Sequence, residues 1–450
     1  MPRLIPLAMI APELAETYPA DERTTMPLET PPGYRPLNES SLREFLARLP
    51  EAGAILGGTP HQWKVNEVGD GNLNLVFLVE GPEGGICVKQ ALPYVRLVGE
   101  GWPMTLQRAF FEQEYIRHQA PQLAALMPRL HHYDPALFAI VMERLSPHII
   151  MRHGMIRGQR YPAFAGQISE FLARSLFFTS DLALSAGEKK AMMATFAGNT
   201  ELCKITEDLI FTEPYMIAER NRWTTPQLDG IAGEFRADTE LKLAVSRLKW
   251  KFLTAAEALI HGDLHTGSVM VTEQDMRVID AEFSFVGPMG FDTGAVLGNL
   301  LLSYFSQAGH AGAGDPRGDY EAWILETLEQ VWTGFTAKFL DLWRHHTKGD
   351  AYPGALFADA EGKKALETER KIFINRLYRD TLRFAAAKMI RRILGLAHVI
   401  DLEHIRDQEL RARCEKRALR LARELMVNTS RYREIAEVSA LARAGRQTDG

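Results

Sequence analysis

The sequence predicts an α+β chain of two lobes, a small antiparallel sheet followed by a mainly helical remainder, and three observations carry that prediction. β-rich segments broken by glycine turns crowd residues 63 to 90, and a further apolar strand runs from Leu137 to Met142. Beyond that strand, helical patterning continues almost to residue 450.

The elements follow in order. Residues 1 to 37 carry eight prolines and little periodicity, so they read as an extended arm. Ser41 and Glu44 have capping-box spacing ahead of Phe45, Leu46 and Leu49, which predicts a first helix from Leu42 to Leu49. Trp63 to Val68, Leu73 to Glu80 and Ile86 to Gln90 are the three strands, with turns at 69 to 71 and 81 to 85. A helix is expected from Thr105 to Arg117. Short β-branched runs between Leu259 and Ile279 predict a small hairpin inside the helical part. The domain reading is therefore an arm (1–37), an N-lobe (38–142), a hinge (143–146) and a helical C-lobe (147–450).

Composition narrows the functional classes. With 46% hydrophobic and 24% charged residues, the chain is ordinary for a soluble globular protein. A net charge of −5 does not suggest nucleic acid as a partner, and small molecules are the better expectation. Cys87, Cys203 and Cys414 are odd in number and lack metal-ligand spacing, which points to a reducing, cytoplasmic setting. The apolar run from Leu4 to Ala11 is broken by Pro6 and too short for export, and no uncharged run reaches the roughly 18 residues a membrane helix needs.

The strongest chemical signal is Ile260-His261-Gly262-Asp263-Leu264-His265-Thr266-Gly267-Ser268, followed 17 residues after Asp263 by Asp280-Ala281-Glu282. Phosphoryl transfer needs a carboxylate to orient an attacking hydroxyl and accept its proton, and acidic oxygens to hold magnesium against the phosphates. Asp263 fits the first role. Asp280 and Glu282, read as alternating on a strand end and so facing one side, fit the second, with Ser268 as a further metal ligand or supporting contact. The bland alternative is two turns with solvated acids.

A second signal lies in the sheet. Val68-Gly69-Asp70-Gly71-Asn72 joins two strands, so backbone amides near Gly69, Gly71 and Asn72 could lie over a triphosphate, although glycine turns are structural in most proteins. Eighteen residues after Gly71, Lys89 sits inside an apolar strand, where an unpaired ammonium is costly. A phosphate oxygen and a helix glutamate would partner it. Glu112 and Glu114 compete for that place; they lie roughly 200° apart on a helix, and Glu112 is preferred. At the strand end, the backbone of Glu143, Arg144 and Leu145 occupies the hinge expected to meet an adenine.

Taken together these residues resemble the small-molecule branch of the protein-kinase-like fold, which includes aminoglycoside and choline kinases. More specifically the chain resembles the 5-methylthioribose kinases, on GDGNLN at 69–74, VKQALPYVR at 88–96, GWPMT at 101–105, HGDLHTGS at 261–268, DAEFSFVGPMGFD at 280–292 and IRRILGLAHVIDLEHI at 390–405. The resemblance implies ATP and magnesium as cofactors and a sugar hydroxyl as acceptor. It implies nucleotide contacts at Asn72 and Lys89 and around Asp280, Ala281 and Glu282, catalysis by Asp263, metal binding by Asp280 and Glu282, and sugar binding by Arg391 and Arg392. Trp102 matches a tryptophan on a loop over the nucleotide site. The family usually has proline where Ala281 stands. Family precedent and long C-terminal helices point to a homodimer.

Three features have plainer readings. Arg391 and Arg392 precede Gly395 near a helix end, where cations meet the dipole favourably, and neighbours about 100° apart rarely serve one ligand equally. His131 and His132 read as surface residues. The stretch Arg411 to Arg423 holds six basic residues but is amphipathic, which fits a solvated helix face better than an RNA or membrane surface.

Overall fold

The computed structural model describes residues 30–69, 73–95, 99–312, 314–346 and 348–447. They form two compact units: the chain up to Arg117 together with Pro128–Leu145, and His118–Met127 together with the chain from Ser146 onward.

The first unit is built on a five-stranded antiparallel sheet. It contains α1 (Glu39–Ala47), α2 (Pro50–Leu56), β1 (Lys64–Glu67), β2 (Asn74–Glu80), β3 (Gly85–Ala91), the short pair β4 (Tyr94–Val95) and β5 (Gly99–Pro103), and most of α3 (Arg108–Leu123). After α3 come β6 (Leu130–Asp134) and β7 (Ala139–Glu143). The sheet order is β1-β2-β3-β7-β6. Alternation along β3 sorts its side chains between two cores. Ile86 and Val88 join Phe77, Val141 and the helix residues Leu46 and Leu56, whereas Cys87 and Ala91 join Ala109, Ile140 and Met142. Lys89 shares the parity of Cys87 and Ala91, so it points toward the α3 side.

Boundaries differ from the sequence reading for identifiable reasons. α1 begins three residues before Leu42, because Asn38 is the cap: its side chain accepts from the Ser41 amide at 2.9 Å and Ser41 Oγ accepts from the Asn38 amide at 2.9 Å. It stops at Ala47, since Leu49 precedes Pro50, the first residue of α2. The α3 helix starts at Arg108, later than Thr105, and continues beyond Arg117 through Pro121. The β6 strand was not anticipated. Its His131 and His132 lack an apolar alternation because β6 is a sheet edge, and they are half-buried, not surface residues: His131 Nδ1 lies 2.9 Å from Glu51 Oε1. The end of the proline-rich arm is docked, with Leu37 buried and its amide donating to Gln90 Oε1 at 2.7 Å.

In the second unit, β8 (Ile149–Ile150) and α4 (Met151–Ile156) lead into α5 (Phe164–Phe178), α6 (Ala186–Phe196), α7 (Thr200–Phe211), α8 (Asp229–Ala237) and α9 (Thr239–Thr254). Next, β9 (Ala258–Ile260) pairs with β12 (Phe285–Gly287), and between them β10 (Val269–Val271) and β11 (Met276–Val278) form the expected hairpin. The remainder is α10 (Gly290–His310), α11 (Gly318–His345), α12 (Ala360–Leu394), α13 (Ile400–Glu403), α14 (Gln408–Val427) and α15 (Ile435–Gln447). The α14 helix is amphipathic as read: Leu419, Ala422 and Leu425 are buried, while Arg423 pairs with Asp238 at 2.7 Å.

α10 and α12 approach closely, and glycine permits it. Gly290, Gly294 and Gly298 recur one turn apart on α10; a Cβ on Gly294 would sit 2.6 Å from the Thr381 carbonyl oxygen, and one on Gly298 would sit 2.8 Å from that of Ala385. Phe291 and Phe384 close the same seam at 5.4 Å between ring centroids. Among the described residues, no helix is long and apolar enough to cross a membrane.

Candidate active site

The loop 261–268 leaves the buried end of β9 and turns at once. Gly262 has φ +84, and a Cβ there would lie 2.1 Å from the Phe283 carbonyl oxygen, so only glycine fits. Asp292, in the first turn of α10, accepts the amide protons of His261 at 2.6 Å and Gly262 at 3.1 Å. Burial raises the Asp292 pKa in spite of those bonds. His261 Nε2 lies 2.9 Å from the Ile279 carbonyl oxygen and the Ile279 amide donates to the Ser268 carbonyl at 3.0 Å, which ties the loop to the end of the β10–β11 hairpin. From α4, Arg152 Nε donates to Thr266 Oγ1 at 3.1 Å and its Nη2 to Asn299 Oδ1 at 3.0 Å.

Asp263 sits at the focus of a cationic cluster. Lys388 Nζ donates to its Oδ1 at 2.7 Å, and His265 Nε2 lies 3.3 Å from its Oδ2. Burial by itself would raise the Asp263 pKa, but the Lys388 ammonium and then His265 outweigh it and hold the carboxyl well below its usual range. His265 Nδ1 accepts from the Gly267 amide at 3.0 Å, which places the imidazole proton on Nε2, facing Asp263. Burial pushes the His265 pKa down to about 3, so the ring stays neutral.

Lys388, Arg391 and Arg392 stand at i, i+3 and i+4 on α12 and therefore share a face. Arg391 Nε and Nη1 and Arg392 Nε are buried without a hydrogen-bond partner, whereas Arg392 Nη1 donates to the Ala397 carbonyl at 3.3 Å. Burial lowers both guanidinium pKa values, and for Arg392 the charge of Arg391 adds to it. The helix ends at Leu394 ahead of Gly395, so the dipole argument for these cations also applies.

Asp280 and Glu282 do not alternate on a strand. β11 ends at Val278, and Asp280 takes a left-handed conformation with φ +72, so a turn rather than a pleat orients the two acids. They still converge: a carboxylate oxygen of each lies within 4.8 Å of the other, Asp280 exposed and Glu282 buried. Two hard oxygens at that separation suit one divalent cation. The turn is held by Asn199, whose Nδ2 donates to the carbonyls of Glu282 and Ser284, each at 2.9 Å. Ala281 between the acids is buried. Ser268 is turned elsewhere, its hydroxyl donating to the Asp263 carbonyl at 2.9 Å.

In the first unit, Glu112 rather than Glu114 meets the strand lysine: Lys89 Nζ lies 2.6 Å from Glu112 Oε2, with Glu112 2% exposed. Glu114 bonds to Gln113 at 2.7 Å. A Cβ at Gly69 would meet open space, and Gly71 and Asn72 lie outside the described residues. Trp102 lies on β5. At the end of β7, the Glu143 amide donates to the Arg129 carbonyl at 2.8 Å and Arg144 Nη2 pairs with Glu80 at 2.6 Å, with Leu145 next in the chain.

Sequence reasoning missed Lys388, Asp292, Arg152 and His265 as members of the site. The Lys388 signal was present in its spacing, one turn before the two arginines. Asp292 closed the DAEFSFVGPMGFD segment without a role assigned to it, and Arg152 carried no signal, because only the packing of α10 and α4 brings them to the loop.

A small antiparallel sheet with a buried Lys–Glu pair, and a helical unit whose H-G-D loop precedes a D-x-E turn, define a phosphotransferase of the protein-kinase-like fold; the model of the phosphotransferase enzyme family matches residues 64–331. Within that class the chain belongs to the methylthioribose kinase family. It is 47% identical over 409 residues to the methylthioribose kinase of Escherichia coli O45:K1 (strain S88 / ExPEC), covering 91% of this chain and 97% of that one. Methylthioribose kinase 1 of Oryza sativa subsp. japonica is 44% identical over 409 residues, covering 90% and 94%. The methylthioribose kinase of Yersinia pseudotuberculosis serotype IB (strain PB1/+) is 43% identical over 380 residues, covering 84% and 90%.

Proposed function

We propose that this chain transfers the γ-phosphoryl group of ATP to the 1-hydroxyl of 5-methylthioribose, giving 5-methylthioribose 1-phosphate for methionine salvage. The observation that carries the reading is the half-buried Asp263 carboxylate, ionised beside Lys388 and on the side of the helix that also presents Arg391 and Arg392. Such a carboxylate orients an acceptor hydroxyl and takes its proton as the phosphoryl group arrives. The guanidinium groups, lacking protein acceptors at Arg391 Nε and Nη1, suit sugar hydroxyls or the charge spread over the transferring group.

Lys89, oriented by Glu112, would hold the nucleotide phosphates, with the backbone at Gly69, Gly71 and Asn72 over them and that of Glu143, Arg144 and Leu145 toward the adenine. Asp280 and Glu282 would hold magnesium, which supplies charge neutralisation at the phosphate oxygens. The Ser268 hydroxyl, engaged with Asp263, supports the loop in place of acting as a ligand.

A kinase for a cationic acceptor, such as an amino alcohol or an aminoglycoside, is the rival. The surplus of cations around Asp263 speaks against it, since a charged amine there would face Lys388, Arg391 and Arg392. The three unpaired cysteines support a cytoplasmic setting, and the family resemblance supports a homodimer, which light scattering on the purified protein tests.

The deciding experiment is phosphorus NMR of the product after incubation with ATP and magnesium against 5-methylthioribose, ribose, choline and kanamycin. The reading predicts a sugar 1-phosphate from methylthioribose. Phosphorylation of choline or kanamycin alone would overturn the substrate, and phosphate on another carbon would overturn the regiochemistry.

A further inference from the structure

Lys388 is the side chain in closest contact with Asp263, and its surroundings are those of an ammonium with one task. Its side chain is 2% exposed, its Nζ lies 2.7 Å from Asp263 Oδ1, and the ammonium sits 4.4 Å from the centroid of Phe291. An ammonium buried to this degree is tolerated only against a carboxylate or a ring face, and it has both.

The fold fixes that contact from two directions. Asp263 is held on the loop that Asp292 anchors from α10, and Lys388 is carried by α12, which the glycines at 290, 294 and 298 bring against that same helix. Phe291, the residue before Asp292, is the ring beneath the ammonium. The loop, its anchor and the lysine are thus set by one helix seam.

We infer that Lys388 is a positioning residue for phosphoryl transfer, acting through Asp263 by pinning Oδ1, so that Oδ2, which His265 Nε2 approaches at 3.3 Å and which keeps a second lone pair, is the oxygen offered to the acceptor hydroxyl. The inference rests on the function proposed above. Chemically, the acceptor O–H bond breaks as its oxygen bonds to phosphorus, the proton passes to the Asp263 carboxylate, and ADP leaves with the electron pair of the broken P–O bond. Without the ammonium, burial favours the protonated carboxyl, which cannot take that proton, and the side chain is free to turn.

The test is a double-mutant cycle. Lys388→Met keeps an apolar stem over Phe291 and removes the charge; it should lower kcat on the order of 10²-fold while leaving KM for ATP unchanged. In an Asp263→Asn background the same change should alter kcat less than about threefold, because there is no carboxylate left to hold. Equal losses in both backgrounds, or an undiminished kcat in the single variant, would overturn the inference. Should Lys388→Met alone fail to fold, Asp263→Asn/Lys388→Met, with both charges gone, should fold; equal unfolding of both would show a structural role independent of Asp263 and contradict the proposal. Wild-type silence on every acceptor would sink the proposed function and this inference with it, whereas an active wild type with an additive cycle removes the inference alone.

Discussion

The Asp292 carboxylate accepts the Gly262 amide proton at 3.1 Å, across 30 residues of sequence, and so fixes the turn from which Asp263 projects. Asp292→Ala removes the carboxylate that accepts from that amide and from the His261 amide, at a cost of about 2–4 kcal/mol. The melting temperature should fall by several degrees, and kcat of the remaining folded protein by at least tenfold. An alanine variant with unchanged melting and turnover would show that the loop holds itself.

Packing between α10 and α12 gives a second expectation. Gly294→Ala puts a methyl group 2.6 Å from the Thr381 carbonyl oxygen, and neither backbone can yield without moving its helix. Destabilisation of about 1–3 kcal/mol is expected in urea unfolding. Gly230→Ala, where a Cβ meets nothing within 4 Å, is the control and should be neutral or slightly stabilising.

These relationships mark where the sequence could and could not be read. The contact of Lys89 with Glu112 and the convergence of Asp280 with Glu282 were legible because a charge inside an apolar run, or acids at loop positions, break a local pattern. The orientation of Asp280 and Glu282 was misjudged, since a left-handed residue after β11 leaves no trace in a strand-period argument. Lys388 was passed over in spite of its place one turn before Arg391 and Arg392, because α12 is long and polar, with lysines and arginines on many faces. The β6 edge strand was missed for a related reason: the half-buried Leu-His-His-Tyr-Asp run has no period of two to detect.

Arg391 and Arg392 should separate on substitution. Arg392 Nη1 is committed to the Ala397 carbonyl, while Arg391 has two buried nitrogens without partners. Arg391→Ala is therefore expected to raise KM for the sugar or lower kcat by tenfold or more with little change in stability. Arg392→Ala should lower the melting temperature as well, because the 395–398 segment loses its tie. Steady-state kinetics beside thermal melts distinguish the two, and equal effects on both readouts would contradict the division.

The same segment has a pH dependence. Burial would raise the Glu403 pKa, but its bonds to His398 and the charges of Arg411 and Arg222 prevail and lower it from 4.5 to about 2. A carboxyl depressed in the folded state adds stability that is complete above about pH 4.5 and is lost as pH falls toward 2. The gap in unfolding free energy between wild type and Glu403→Gln should be at most about 3 kcal/mol at pH 6 and shrink steadily below pH 4. Chemical denaturation at pH 6, 4 and 3 measures it, and a gap that does not narrow would assign the stability to other groups.

The central claim is that Asp263 receives the proton of a methylthioribose hydroxyl, and the most direct measurement is ATP turnover with magnesium and 5-methylthioribose for wild type and Asp263→Asn side by side. Asparagine keeps the shape and removes the base, so kcat should fall by 10² or more while KM for ATP holds within about threefold. Turnover of the asparagine variant within a few-fold of wild type would contradict the account.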